Sequence, residues 1–159
     1  MASQANVQPG LWRETVKAGA VRSGAMLTAI ALWALTALLA LALATYKTGD
    51  PSLNTAAGGA VRNLVGPPGA YAADLLLTLF GPAAALLLPV PATIGLRLWK
   101  GLPAGRWARM LRGALIGVAL MAAAFATISD GSVLRLPAGW GGLAGLALTG
   151  AAQSAIGFI

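Results

Sequence analysis

The sequence predicts an all-α membrane protein: a helical bundle of three transmembrane helices plus a C-terminal apolar segment, with a short amphipathic helix on the outward face. Three observations predict it. Leu27–Ala44, LTAIALWALTALLALALA, carries no charged residue, and eighteen helical residues rise about 27 Å, close to the hydrocarbon thickness of a bilayer. The chain is 58% hydrophobic and only 9% charged, with a mean hydropathy of +0.78, far from soluble averages. Its net charge of +7 is gathered mainly into two basic blocks beside apolar runs, which fits membrane orientation and anionic lipid better than nucleic acid.

Residues 1–24 form a basic N-terminal segment with Arg13, Lys17 and Arg22 against Glu14. The first span covers about 25–46. Ala42-Leu43-Ala44 has the small-x-small form of a signal cleavage site, but the apolar run exceeds a normal signal core, so it reads as an uncleaved anchor. Lys47 to Gly69 is a connector. Asp50-Pro51-Ser52 reads as a turn, and Ser52 or Asn54 is placed to cap a short helix through Val65 that Gly66-Pro67 would stop. Gly58-Gly59 weakens that helix.

The second span covers about 70–98, with Pro82, Pro89 and Pro91 predicting a bent or tilted helix. Arg97, Lys100, Arg106, Arg109 and Arg112 follow with no acid among them. The third span covers about 113–128 and can extend through Met110 and Leu111 while Arg112 snorkels. A turn-rich connector, 129–140, leads to the apolar segment 141–159, which hydropathy alone places either across the bilayer or on its surface. The N-terminal segment and the 97–112 loop hold eight Lys/Arg, and the other two connectors hold three, Lys47, Arg62 and Arg135. The positive-inside rule therefore puts the N-terminus in the cytoplasm and the 47–69 and 129–140 connectors outside.

Little catalytic chemistry is available. There is no cysteine and no histidine, which removes thiol catalysis, histidine acid–base chemistry and the usual zinc sets. A P-loop needs Lys directly after Gly, whereas Lys17, Lys47 and Lys100 follow Val16, Tyr46 and Trp99. No catalytic, cofactor or metal residue is assigned. Asp74, one turn into the second span, is a candidate ion or proton site of a small transporter or channel subunit. It reads better as an interface residue at the positive end of a helix dipole, with Arg62 as partner. Gly113 and Gly117, and later Gly141 and Gly145, have the spacing of close helix packing, read here as packing within one subunit. A membrane scaffold unrelated to DNA is a further reading.

The run from Tyr46 to Gly81, YKTGDPSLNTAAGGAVRNLVGPPGAYAADLLLTLFG, resembles the N-terminal four-span membrane domain of the FtsK/SpoIIIE DNA translocase family. The resemblance rests on Asp50, Pro51 and Ser52, then Gly58, Gly59, Val61, Arg62, Asn63, Gly66, Gly69, Ala70, Tyr71 and Asp74. LPAGWGG, Leu136 to Gly142, resembles that family's second outward loop, and the similarity covers about 25–159. It implies an anchor and septum-targeting module in the bacterial inner membrane for a hexameric, ATP-driven DNA pump of cell division and chromosome segregation. ATP, Mg and DNA would engage only a motor that this chain lacks, so the chain is expected to be a fragment or a truncated membrane domain. Anionic lipids, further copies of the chain and divisome proteins are the expected partners. A plain spacer needs no such motif, so 46–74 is expected to form an ordered outward cap. Asp50, Pro51, Ser52, Arg62, Asn63 and Asp74 would be its structural or docking residues, with Arg62 close enough to pair with Asp74 or Asp50.

Overall fold

The computed structural model describes residues 9–56, 59–128 and 136–157, and among them it is helical with no strand. Five α-helices follow in order: α1 (Pro9–Ala44), α2 (Gly66–Phe80), α3 (Pro89–Trp99), α4 (Trp107–Ile128) and α5 (Gly142–Ile156), with a 3-10 segment at Gly81–Leu87 between α2 and α3. Three stretches are long and apolar enough to cross a membrane: Trp12–Ala44, Gly66–Trp99 and Trp107–Ile128. Their outer faces carry exposed Leu27, Leu75, Ile116 and Leu120. Such faces would aggregate in water, and lipid is their natural solvent.

Helix α1 is continuous through the basic segment. Its 36 residues rise about 54 Å, so somewhat less than half of it, the N-terminal part, projects beyond a hydrocarbon core of about 30 Å. It packs along α3, where Gly95 makes room: a Cβ there would lie 2.8 Å from Trp33 Nε1. Trp33 Nε1 donates to the Ala92 carbonyl at 3.2 Å, and its ring lies 5.5 Å from that of Trp99. Arg22 Nη2 donates to the Trp99 carbonyl at 2.9 Å, closing the C-terminal end of α3, where helix carbonyls lack internal partners.

The second span is broken rather than bent. It starts at Gly66, whose φ of +75° turns the chain into Pro67 and Pro68 at the first helical positions, where a missing N–H costs nothing. Helix α2 stops at Gly81, with φ +59° and ψ −154°, and Pro82 cannot donate into the preceding turn. The chain continues as a 3-10 segment and recovers α geometry at Pro89. A small core of Ala83, Val118 and Ala122, flanked by Phe80, Leu87 and Phe125, joins this segment to α4.

The short amphipathic helix expected before Val65 does not form: the described residues of 54–65 are turns and irregular backbone. The amides of Arg62 and Asn63, which such a helix would bond internally, instead donate to the Asp50 carboxylate. The third span begins at Trp107, earlier than 113, and includes Arg109 and Arg112. Helix α5 has 15 residues, about 22 Å, short of a full crossing, and packs against α4 and α2.

The glycine pairs part company. A Cβ at Gly141 or Gly145 would meet the Ala122 carbonyl oxygen and the Ala126 side chain, so these two bring α5 onto α4. A Cβ at Gly113 or Gly117 would meet nothing within 4 Å. The expected packing within the subunit does not hold for them, because they lie on the open face of α4.

Candidate functional site: a polar cap between the first two spans

The cap is built from the end of α1, the 45–65 loop and the first turns of α2, around two buried carboxylates. Asp50 is 3% exposed and Asp74 fully buried, and a buried carboxylate is tolerable only when donors surround it. Asp50 follows a tight turn in which its N–H donates to the Lys47 carbonyl at 3.1 Å. Its Oδ1 accepts Arg62 N–H at 2.9 Å and its Oδ2 accepts Asn63 N–H at 2.8 Å. The loop is thereby closed on itself by one side chain.

Asn63 fastens that closure to the membrane helices. Its Nδ2 donates to the Ala42 carbonyl at 2.8 Å, satisfying an oxygen in the last turn of α1. Its Oδ1 accepts Val65 N–H at 3.0 Å, and its own carbonyl accepts Gly66 N–H at 2.8 Å. A Cβ at Gly69 would lie 2.6 Å from that Oδ1, so this glycine leaves space for the turn. Thr45 adds a second tie, with Oγ1 accepting Leu64 N–H at 3.2 Å.

Asp74 sits on the α2 side. Tyr46 Oη donates to its Oδ1 at 3.0 Å, and Asn54 gives both its backbone N–H, at 3.1 Å, and its Nδ2, at 3.0 Å, to Oδ2. Asn54 Nδ2 also reaches Thr78 Oγ1 at 2.7 Å. Burial and the hydrogen bond to Asp74 push the Tyr46 phenol well above its ordinary range, so it remains a protonated donor.

Of the residues the sequence singles out, Asp50, Asn63 and Asp74 are at the centre. Pro51 and Ser52 are half-buried in the loop, and Ser52 N–H donates to the Thr55 carbonyl at 3.0 Å. Gly58 lies outside the described residues, as do Asp130 and Arg135. The expected Arg62 pairing is corrected: only its backbone meets Asp50, and among the described residues its exposed guanidinium forms no ion pair. Asp74 takes neutral partners instead. Sequence reasoning missed Tyr46 and Thr78 and saw Asn54 only as a helix cap. The signal available for Tyr46 was a phenol just past an apolar run, apolar in body and polar at the tip.

The geometry favours a structural cap over a transport path. Every oxygen of Asp74 is occupied. The cavity of about 540 Å³ beside α1 and the 3-10 segment is lined by Ala40, Leu43, Leu77, Pro82 and neighbouring apolar groups with Tyr46, and not by Asp74. No group of three Asp, Glu, His or Cys residues arranged to hold a metal ion occurs among the described residues.

The second loop docks beside this cap. In the LPAGWGG run, Gly139 and Gly142 adopt φ of +71° and +57°, and the Trp140 ring packs edge-on against Phe125 at 5.9 Å. The turn lies directly on Gly81, where α2 breaks.

Three lipid-length apolar stretches, the first two joined by a folded polar cap, define a multi-pass helical membrane domain. Residues 22–159 match the family model described as the 4TM region of DNA translocase FtsK/SpoIIIE, and the chain belongs to that family. It is 34% identical over 135 residues to the DNA translocase FtsK of Bradyrhizobium diazoefficiens, a match covering 84% of this chain and 16% of that protein. The DNA translocase FtsK of Brucella suis is 37% identical over 119 residues, 72% of this chain and 13% of the relative. That of Rickettsia bellii is 32% identical over 108 residues, covering 65% and 13%. The chain thus spans a small fraction of the length of the relatives it matches. No solved structure matches it.

Proposed function

We propose that this region anchors a DNA translocase in the bacterial inner membrane and directs it to the division septum, serving cell division and chromosome segregation. ATP hydrolysis with Mg and DNA translocation would belong to a motor elsewhere in such a protein. The observation that carries the reading is the cap: a loop held by its own buried carboxylate and asparagine, Asp50 and Asn63, and by the buried Asp74 of α2 is built to hold a shape, which a spacer between spans does not require. A held shape on one face of the membrane suits docking of divisome proteins. In a full-length protein, replacing residues 52–66 by a Gly/Ser linker should leave membrane insertion intact and abolish septal enrichment of a fluorescent fusion. Unchanged enrichment would reduce the cap to a spacer.

The reading places the N-terminus and the 97–112 loop in the cytoplasm, on the eight-to-three distribution of Lys and Arg. The chain has no native cysteine, so single cysteines at Ser3, Leu53 and Ala104 report cleanly. A membrane-impermeant thiol reagent on intact cells should label Leu53→Cys and spare Ser3→Cys and Ala104→Cys. The opposite pattern would invert the topology.

A further inference from the structure

We propose that the concavity between the two arms of the 45–65 loop binds the phosphate of an anionic phospholipid headgroup, in the leaflet against which the cap lies. The concavity measures about 490 Å³ and is lined by Lys47, Thr48, Gly49, Asp50, Gly59, Ala60 and Arg62, within the size range of small-ligand sites. Two cations converge on it, and neither has an acidic partner among the described residues. The reason is visible in the cap. The one acid that lines the concavity, Asp50, is buried and directs both oxygens at the Arg62 and Asn63 amides. The other carboxylate of the cap, Asp74, is enclosed by Tyr46 and Asn54. The fold uses these acids to hold backbone and leaves the Lys47 ammonium and the Arg62 guanidinium unneutralised and exposed.

Position selects the anion. Lys47 follows the end of α1 and Arg62 precedes the start of α2, so both stand where two apolar spans emerge from the hydrocarbon, at headgroup depth. Phosphate is the anion that lies in that plane. A guanidinium offers it a planar fork of N–H donors and an ammonium a point charge. Gly49, Gly59 and Ala60 keep the floor free of bulky side chains. The inference does not rest on the septal reading, since lipid binding is measured on the domain alone.

The test uses the whole 159-residue chain in nanodiscs of phosphatidylcholine containing phosphatidylglycerol, with retained lipid counted by native mass spectrometry after gentle release. The wild-type chain should retain phosphatidylglycerol in preference to phosphatidylcholine. The double variant Lys47→Gln, Arg62→Gln should lose about thirtyfold of that preference, two basic residues at about 1 kcal/mol each at an anionic surface. In a Lys47→Gln background, Arg62→Lys should keep part of the preference that Arg62→Gln loses. Both variants keep the backbone bonds of the cap and should melt with the wild type. Arg106→Gln with Arg109→Gln removes the same charge from the other block and should leave the preference largely in place. Free inorganic phosphate at millimolar concentration should compete only weakly, because it lacks the tethering that a bilayer supplies. No preference in the wild type, an unchanged preference in the Lys47/Arg62 variant, or equal loss in both double variants overturns the proposal. So does preferential capture of an acidic peptide at this pocket, which would assign it to a protein partner.

Discussion

Gly81→Ala and Gly142→Ala should each unfold the centre of the domain, lowering stability by about 2–6 kcal/mol. The figure combines two costs. Gly81 has φ +59° and ψ −154°, a region open essentially to glycine alone, and forcing a side chain into it costs about 1–3 kcal/mol. A Cβ there would also collide with the backbone carbonyl of Trp140, and one at Gly142, φ +57°, would lie 2.6 Å from Gly81 N and 2.7 Å from the Leu79 carbonyl carbon. Overpacking of this kind costs about 1–3 kcal/mol, and here the obstacle is backbone, which has no rotamer to change. Thermal unfolding in detergent, followed by helical circular dichroism, measures the loss. Gly113→Ala and Gly117→Ala are the contrast, since their methyl groups meet nothing within 4 Å and alanine favours a helix by up to about 1 kcal/mol. Melting of Gly81→Ala and Gly142→Ala within a degree of Gly117→Ala would refute the backbone lock.

The spans were legible because lipid imposes one demand, an apolar surface of bilayer length, that hydropathy reads directly. Their interruptions were legible only in part. Pro82, Pro89 and Pro91 announced a disturbance, but the break falls at Gly81, and what fixes it there is a turn some sixty residues later whose glycines approach its backbone. No local pattern contains that information. The same limit explains the glycine pairs: identical spacing, but only Gly141 and Gly145 have a neighbour, because the fold brings α4 to one pair and leaves the other open.

The cap shows where family resemblance and local rules diverge. Asp50, Asn63 and Asp74 lie at the centre of the cap's hydrogen bonds, whereas the local reading expected a turn at Asp50, a short helix ending at Val65 and an Arg62 ion pair. Local reasoning treats 54–65 as a segment that must satisfy its own amides, and a helix is then the default. A carboxylate arriving from Asp50 satisfies two of them from outside. That substitution removes the helix, leaves the Arg62 guanidinium without an acid among the described residues, and so creates the cationic concavity in one step.

The two buried carboxylates should also differ in how they bear loss of charge. At Asp50 both donors are backbone N–H groups of adjacent residues, fixed in direction by the chain. An asparagine there supplies one carbonyl oxygen and turns its NH₂ against the second N–H, leaving a buried donor facing a donor. The expected cost of Asp50→Asn is about 2–3 kcal/mol, the scale of a lost bond to a charged acceptor with an unsatisfied partner. At Asp74 the carbonyl of an asparagine can take the Oδ2 place and keep both Asn54 donors. Its NH₂ then faces Tyr46 Oη, and a phenolic hydroxyl can turn to accept. Asp74→Asn should therefore cost no more than about 1 kcal/mol, while Asp74→Leu, which strips Tyr46 and Asn54 together, should cost about 3 kcal/mol or more. The order of melting temperatures in detergent tests this directly: wild type, then Asp74→Asn, then Asp50→Asn, with Asp74→Leu at or below the last. If Asp74→Asn melted at or below Asp50→Asn, the charge of Asp74 rather than its hydrogen-bond geometry would be what the cap requires, and the transport reading of that carboxylate would regain its footing.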